Sequence, residues 1–133
     1  MKFSISWAKG IGINNSIGGT IDNVTWEQID EKLKLIIKES GSLGLDILKE
    51  IDEGPCRLEI ITEKGAFLLL LVDEDGNGNF VREYFNPNTD DTKIFIRGNQ
   101  YSGRTISYDE DFVFSVFKEF FTTGNVSEEI LSR

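Results

Sequence analysis

The feature that most constrains this chain is an uninterrupted apolar stretch at residues 66–72, Ala-Phe-Leu-Leu-Leu-Leu-Val. It is bounded by the turn pair Lys64-Gly65 and by the acidic, glycine-containing segment Asp73-Glu74-Asp75-Gly76. A run of this length with turn signals at both ends reads as a strand covered on both faces. It falls far short of the ~20 residues a membrane-spanning helix needs. Such a strand demands a layer of structure on each side, and the rest of the chain must supply both.

The flanking segments meet that demand. Phe3, Ile5 and Trp7 alternate with Lys2, Ser4 and Ser6, which predicts a strand with one buried face. A glycine- and asparagine-rich loop follows (Gly10, Gly12, Asn14, Asn15), with a short strand near residues 17–21. Further strands are predicted at 43–51, 57–62, 80–85, 93–97 and 101–107. Two helices interrupt this series. The first opens on Thr25-Trp26-Glu27-Gln28, a capping box, with Val24 and Ile29 placed as a hydrophobic staple. Ile29, Leu33, Ile36 and Ile37 make its buried stripe, and Gly41 is read as its stop. The second is predicted from a capping box at Ser107-Tyr108-Asp109-Glu110, with the acids Asp109, Glu110 and Asp111 favouring the helix dipole. Its inner face is Val113, Val116, Phe117 and Phe120, flanked by Phe114 and Phe121, and Gly124 ends it. The order strand, helix, several strands, helix predicts one α+β domain over residues 1–133. Its mostly antiparallel sheet has about six to eight strands, packed by helices over about 25–40 and about 108–123.

Composition excludes several chemistries. The chain has no histidine, which removes Ser-His, Cys-His and His-metal mechanisms, and its single cysteine, Cys56, rules out an internal disulfide. Without histidine to activate it, Cys56 reads as a structural thiol. No enzyme activity and no cofactor are expected. The formal net charge is −9, and no basic cluster interrupts the acids, which argues against nucleic acid as partner. The helix aromatics Trp26, Phe112, Phe114, Phe117, Phe120 and Phe121 fall at core spacing, with no interleaved bases for nucleic-acid stacking. Met1 leads directly into a strand-like stretch instead of a basic segment and long apolar run, so the expected location is cytoplasmic, with no membrane association.

Glycines Gly10, Gly12, Gly18 and Gly19 lack the spacing of a dinucleotide-binding fingerprint. Paired carboxylates occur at Asp52-Glu53, Asp90-Asp91, Asp109-Glu110-Asp111 and Glu128-Glu129, but adjacency along a loop does not place two carboxyls across a cleft. Asp73, Asp75, Asn77 and Gly78 match positions one, three, five and six of a calcium loop, while Tyr84 stands where the closing bidentate glutamate belongs. A hairpin turn is the plainer reading, and a weak calcium-binding module at residues 73–84 is the alternative. Acid density is the remaining signal. Asp73, Glu74, Asp75, Glu83, Asp90 and Asp91 are opposed in their stretch by Arg82 alone, with Tyr84, Phe85 and Tyr101 nearby as possible anchors. Such a surface suits a basic protein partner.

Residues 93–98, Lys-Ile-Phe-Ile-Arg-Gly, are followed by Thr105-Ile106-Ser107 and then by a helix closing on Phe120-Phe121-Thr122-Thr123-Gly124. This arrangement resembles the first immunity protein family of bacterial polymorphic toxin and contact-dependent growth inhibition systems. The upstream layout is similar too: an N-terminal strand bearing Trp7, an amphipathic helix, and a strand pair joined at Gly65. The resemblance implies a non-enzymatic inhibitor that binds, one-to-one, the toxic C-terminal domain of a cognate toxin, often a nuclease or nucleic-acid deaminase. The family supplies no shared catalytic residues. The toxin-binding set is therefore read from charge and aromatic content: Asp73, Glu74, Asp75, Glu83, Tyr84, Asp90, Asp91 and Tyr101. The free chain is expected to be a monomer or homodimer, the latter through an exposed edge strand. The competing reading is an acidic adaptor or regulatory subunit.

Overall fold

The structure, a computed structural model, describes residues 1–10, 17–50 and 53–133. The predicted loop residues Gly12, Asn14 and Asn15, the end of the predicted 43–51 strand at Ile51, and Asp52 lie outside the described residues.

Alternation and capping produce the elements in this order: β1 (Lys2–Lys9), β2 (Ile17–Asp22), α1 (Trp26–Glu39), β3 (Gly41–Leu48), β4 (Arg57–Glu63), β5 (Ala66–Glu74), β6 (Asn79–Glu83), β7 (Lys93–Ile96), β8 (Asn99–Ser102), a single 3-10 turn (Gly103–Thr105), β9 (Ile106–Ser107) and α2 (Glu110–Thr123). The main sheet is seven-stranded, ordered β2-β1-β3-β4-β5-β6, with β9 also paired to β5. All its pairings are antiparallel. β5 shares its outer edge between β9, opposite Phe67 and Leu68, and β6, opposite residues 70–74.

Register sorts the two faces. Ile5, Leu45, Leu58, Leu71 and Arg82 form one cross-strand row. With Phe3, Leu43, Ile60, Phe67 and Leu69 they face α1 and α2, which contribute Ile29, Leu33, Ile36, Val113, Val116, Phe117 and Phe120. The Phe3 ring meets Phe120 edge-on at 5.7 Å and Phe121 at 5.0 Å, so the aromatic helix is bound to the first strand. Burying a side chain of this size stabilises by roughly 1.5–3 kcal/mol. The opposite face is covered at one corner by the β7–β8 hairpin, where Ala66, Leu68, Ile96 and Ile106 make a second, smaller cluster. The apolar stretch is therefore covered on both faces, by helices on one and by a hairpin on the other. At the hairpin tip, Arg97 donates to the Gly10 carbonyl at 2.7 Å and ties the small sheet to the end of β1.

The first capping box forms as expected. Thr25 Oγ1 accepts from the Gln28 amide, and Gln28 Oε1 accepts from the Thr25 amide. The second does not. Asp109 is the N-cap of α2, accepting from the Phe112 amide at 3.2 Å, while Ser107 instead accepts from the Asp109 amide. Ser107 is held extended by pairing with Phe67, so the helix cannot begin until two residues further on. The predicted strand at 101–107 likewise divides, because Gly103 turns there. A Cβ at Gly103 would lie 2.8 Å from the Asp90 carbonyl oxygen and 2.9 Å from that of Thr92, so the loop can close over this position only when the side chain is absent. Gly41 opens β3 instead of ending α1, whose C-cap is Ser40. Gly124, with φ 78°, does end α2 as a left-handed cap.

Candidate partner-binding face

The acids that are close in sequence separate in space. Asp73, Glu74 and Asp75 sit at the β5–β6 turn, a hairpin whose last pair is Glu74 with Asn79. Their oxygens are largely committed. Asp73 pairs with buried Arg82 at 3.2 Å and accepts from the Glu74 amide. Glu74 accepts from the amides of Gly76 and Gly78. Asp75 accepts from the Asn77 amide, which holds its carboxyl below the usual range, and from Arg133 at 3.2 Å. Of the residues matched to a calcium loop, Asp73 and Asp75 thus spend oxygens on turn amides and arginines, and no group of three or more His, Cys, Asp or Glu side chains placed to hold a metal is assembled among the described residues.

Arg82 explains much of this region. It donates to Asp73, to Asn125 Oδ1, and to the carbonyls of Val126 and Leu131. A charge buried this deeply is tolerable only when its donors are matched in this way. It fastens the segment after α2 onto the sheet. Glu83 completes the fastening through its backbone, which exchanges both hydrogen bonds with Ser132.

The predicted anchors are also redistributed. Tyr84 is half-buried, with its ring 4.9 Å from that of Phe112. Burial, and then the charge of Asp109, push its phenol pKa up. Tyr101 packs on the second cluster. Both carry packing. The exposed aromatics among the described residues are Phe85 (52%) and Tyr108 (55%), with Phe95 (66%) on the outer side of the β7–β8 hairpin.

Phe85 and Tyr108 lie on segments that the chain ties together. The Asn86 amide donates to the Arg104 carbonyl and the Asn86 side chain to that of Ile106. Thr89 Oγ1 reaches the carbonyls of Asn86 and Gly103, and the Gly103 amide donates to Thr92. Asp90 accepts from Thr92, whose hydroxyl and amide hold its carboxyl below the usual range. Asp91 accepts from Ser102 and pairs with Arg104 at 3.2 Å. Asp109, Glu110 and Asp111 are exposed at the start of α2, directly after Tyr108. Between the 86–92 loop and Tyr108 lies an open cleft of about 470 Å³. Of the predicted site residues, Asp90 and Asp91 line or flank this face and Tyr84 underlies it, while Asp73, Glu74 and Asp75 belong to the other turn. Tyr108 was missed because it read as the interior of a capping box. Its signal was a large aromatic in an otherwise polar, acidic turn.

The topology defines an α+β sheet protein with helices on one face and a hairpin on the other. The chain belongs to the family of unknown function DUF6911, which matches over residues 6–130. A crystal structure of a hypothetical protein from Neisseria gonorrhoeae is similar in fold, with a TM-score of 0.77 and 20% identity over 96% of this chain and 92% of that one. No curated protein matches the chain. Among the described residues, no helix is long and apolar enough to cross a membrane.

Proposed function

We propose that this chain is a cytoplasmic immunity-type inhibitor. In this reading it is a non-enzymatic acidic protein that binds, one-to-one, the basic C-terminal domain of a cognate polymorphic or contact-dependent inhibition toxin. The toxin class is a nuclease or nucleic-acid deaminase. The observation that carries the reading is the face formed by residues 85–92 and 104–111, where exposed Phe85 and Tyr108 stand among carboxylates on cross-tied segments. Interface energy concentrates in rigid aromatic anchors surrounded by polar groups. A toxin that grips phosphate must present lysines and arginines, and a net charge of −9 accelerates its encounter with this chain. The resemblance of residues 93–127 to the first immunity protein family supports the partner class.

The test is co-expression with the C-terminal domain of the proposed toxin, sought in the neighbouring reading frame. Growth rescue and a one-to-one complex are expected. Reversing Asp90 and Asp91 to lysine should weaken binding by about tenfold and flatten its salt dependence, whereas Asp75→Lys should leave affinity nearly unchanged. Failure of the folded wild-type chain to rescue growth or bind would reject the reading.

A further inference from the structure

The cleft beside Tyr108 has a definite hydrogen-bonding character. Its wall is the 86–92 loop and its floor is Gly103, where the loop closes to within a Cβ radius. The loop spends many of its donors on itself. The Thr92 amide and hydroxyl go to Asp90, the Thr89 hydroxyl goes to the carbonyls of Asn86 and Gly103, and the Gly103 amide goes to Thr92. What these groups offer the cleft is lone pairs, on the Asp90 carboxylate and the two threonine hydroxyls, beside the exposed ring of Tyr108. The Asn88 side-chain amide and the Tyr108 hydroxyl, which also line the cleft, can each donate or accept. The complementary ligand is rich in N–H donors, carries positive charge and can stack on an aromatic face. Guanidinium meets all three conditions, with five donors in a planar fork.

We infer that this cleft receives a guanidinium group, the side chain of an arginine presented by the bound protein partner, which stacks on Tyr108 and is held by the Asp90 carboxylate. The identity of the presenting partner rests on the proposed function. The chemistry of the cleft does not. The surrounding acids Asp91, Asp109, Glu110 and Asp111 add attraction at range, while Arg104, paired with Asp91, also places positive charge near Asp90.

The experiment titrates the full chain with N-acetyl-arginine methylamide and follows backbone amides by heteronuclear NMR. The isosteric, uncharged citrulline analogue is the control. Saturable shifts confined to residues 87–92 and 103–108 are expected with arginine and not with citrulline. Asp90→Asn keeps an oxygen for the Thr92 amide, and Tyr108→Ala alters an exposed side chain, so both variants should fold. Each should weaken binding of the probe by about tenfold. No saturable shift, equal response to citrulline, or wild-type affinity in Asp90→Asn overturns the inference. Growth rescue is read separately. Probe binding without rescue leaves the cleft standing and removes the inhibitor reading. Rescue without probe binding does the reverse.

Discussion

The β5–β6 turn and the 85–92/104–111 face are alike in acidity and opposite in use. At the turn, Asp73, Glu74 and Asp75 bind backbone amides, Arg82 and Arg133, and the segment after α2 is bolted over them. On the other face, Asp90 and Asp91 are also engaged, but exposed Phe85 and Tyr108 stand beside them and the acids of the α2 start face water. The lesson is that carboxylate density does not define an interaction surface. What the neighbouring arginines and aromatics do decides whether a carboxylate is spent on the fold or stands beside an exposed ring.

The largest effect is expected from Arg82→Leu. It strands the acceptors that Arg82 satisfies on Asp73, Asn125, Val126 and Leu131. Loss of one partner of a buried pair costs about 3–5 kcal/mol. Urea denaturation should show a loss on that scale. A loss under about 1 kcal/mol would mean that the turn is not a structural bolt.

A smaller effect is expected from Asp109→Ala, at the start of α2. Removal of the N-cap should cost about 1 kcal/mol by thermal or chemical denaturation. It should also bring the Tyr84 phenol pKa down, since the Asp109 charge contributes to raising it. Spectrophotometric titration of the tyrosines reads that shift. An unchanged Tyr84 would separate α2 from the loop that precedes the cleft.

The smallest effect is expected from pH. Asp75 and Asp90 have depressed carboxyl pKa values in the folded chain, caused by hydrogen bonds from Asn77 and Thr92 respectively. A depressed folded value stabilises the fold above the unfolded value of ~3.9, and that contribution is lost as pH falls through the folded value. Thermal melts of the Asp75→Asn/Asp90→Asn double variant should therefore converge with wild type below that window and lie slightly beneath it above. Parallel curves at all pH values would show that neither carboxylate is linked to folding.

Much of the fold was legible because its signals are local. The alternation of β1, the Thr25 capping box, the helical stripe of α1 and the Gly124 cap each involve residues within a turn or two of one another. The misplaced cap shows where local signals fail. Ser107 and Asp109 both satisfy the chemistry of an N-cap, and the choice between them was made by β9 pairing with Phe67, forty residues away in the chain. The anchor candidates were divided for the same reason. Tyr84 and Phe85 are adjacent, yet one stacks on Phe112 and the other faces water, because α2 lies against only one of them.

By itself the sequence determined the α+β class, the doubly covered strand at its centre, the positions of both helices and the absence of histidine-based chemistry, since these follow from periodicity and composition. Only the tertiary structure decided which acids are spent on arginines and amides and which border a cleft with Tyr108. Each such pairing joins segments distant in the chain, as Arg82 joins Leu131, and no local pattern encodes the distance between them.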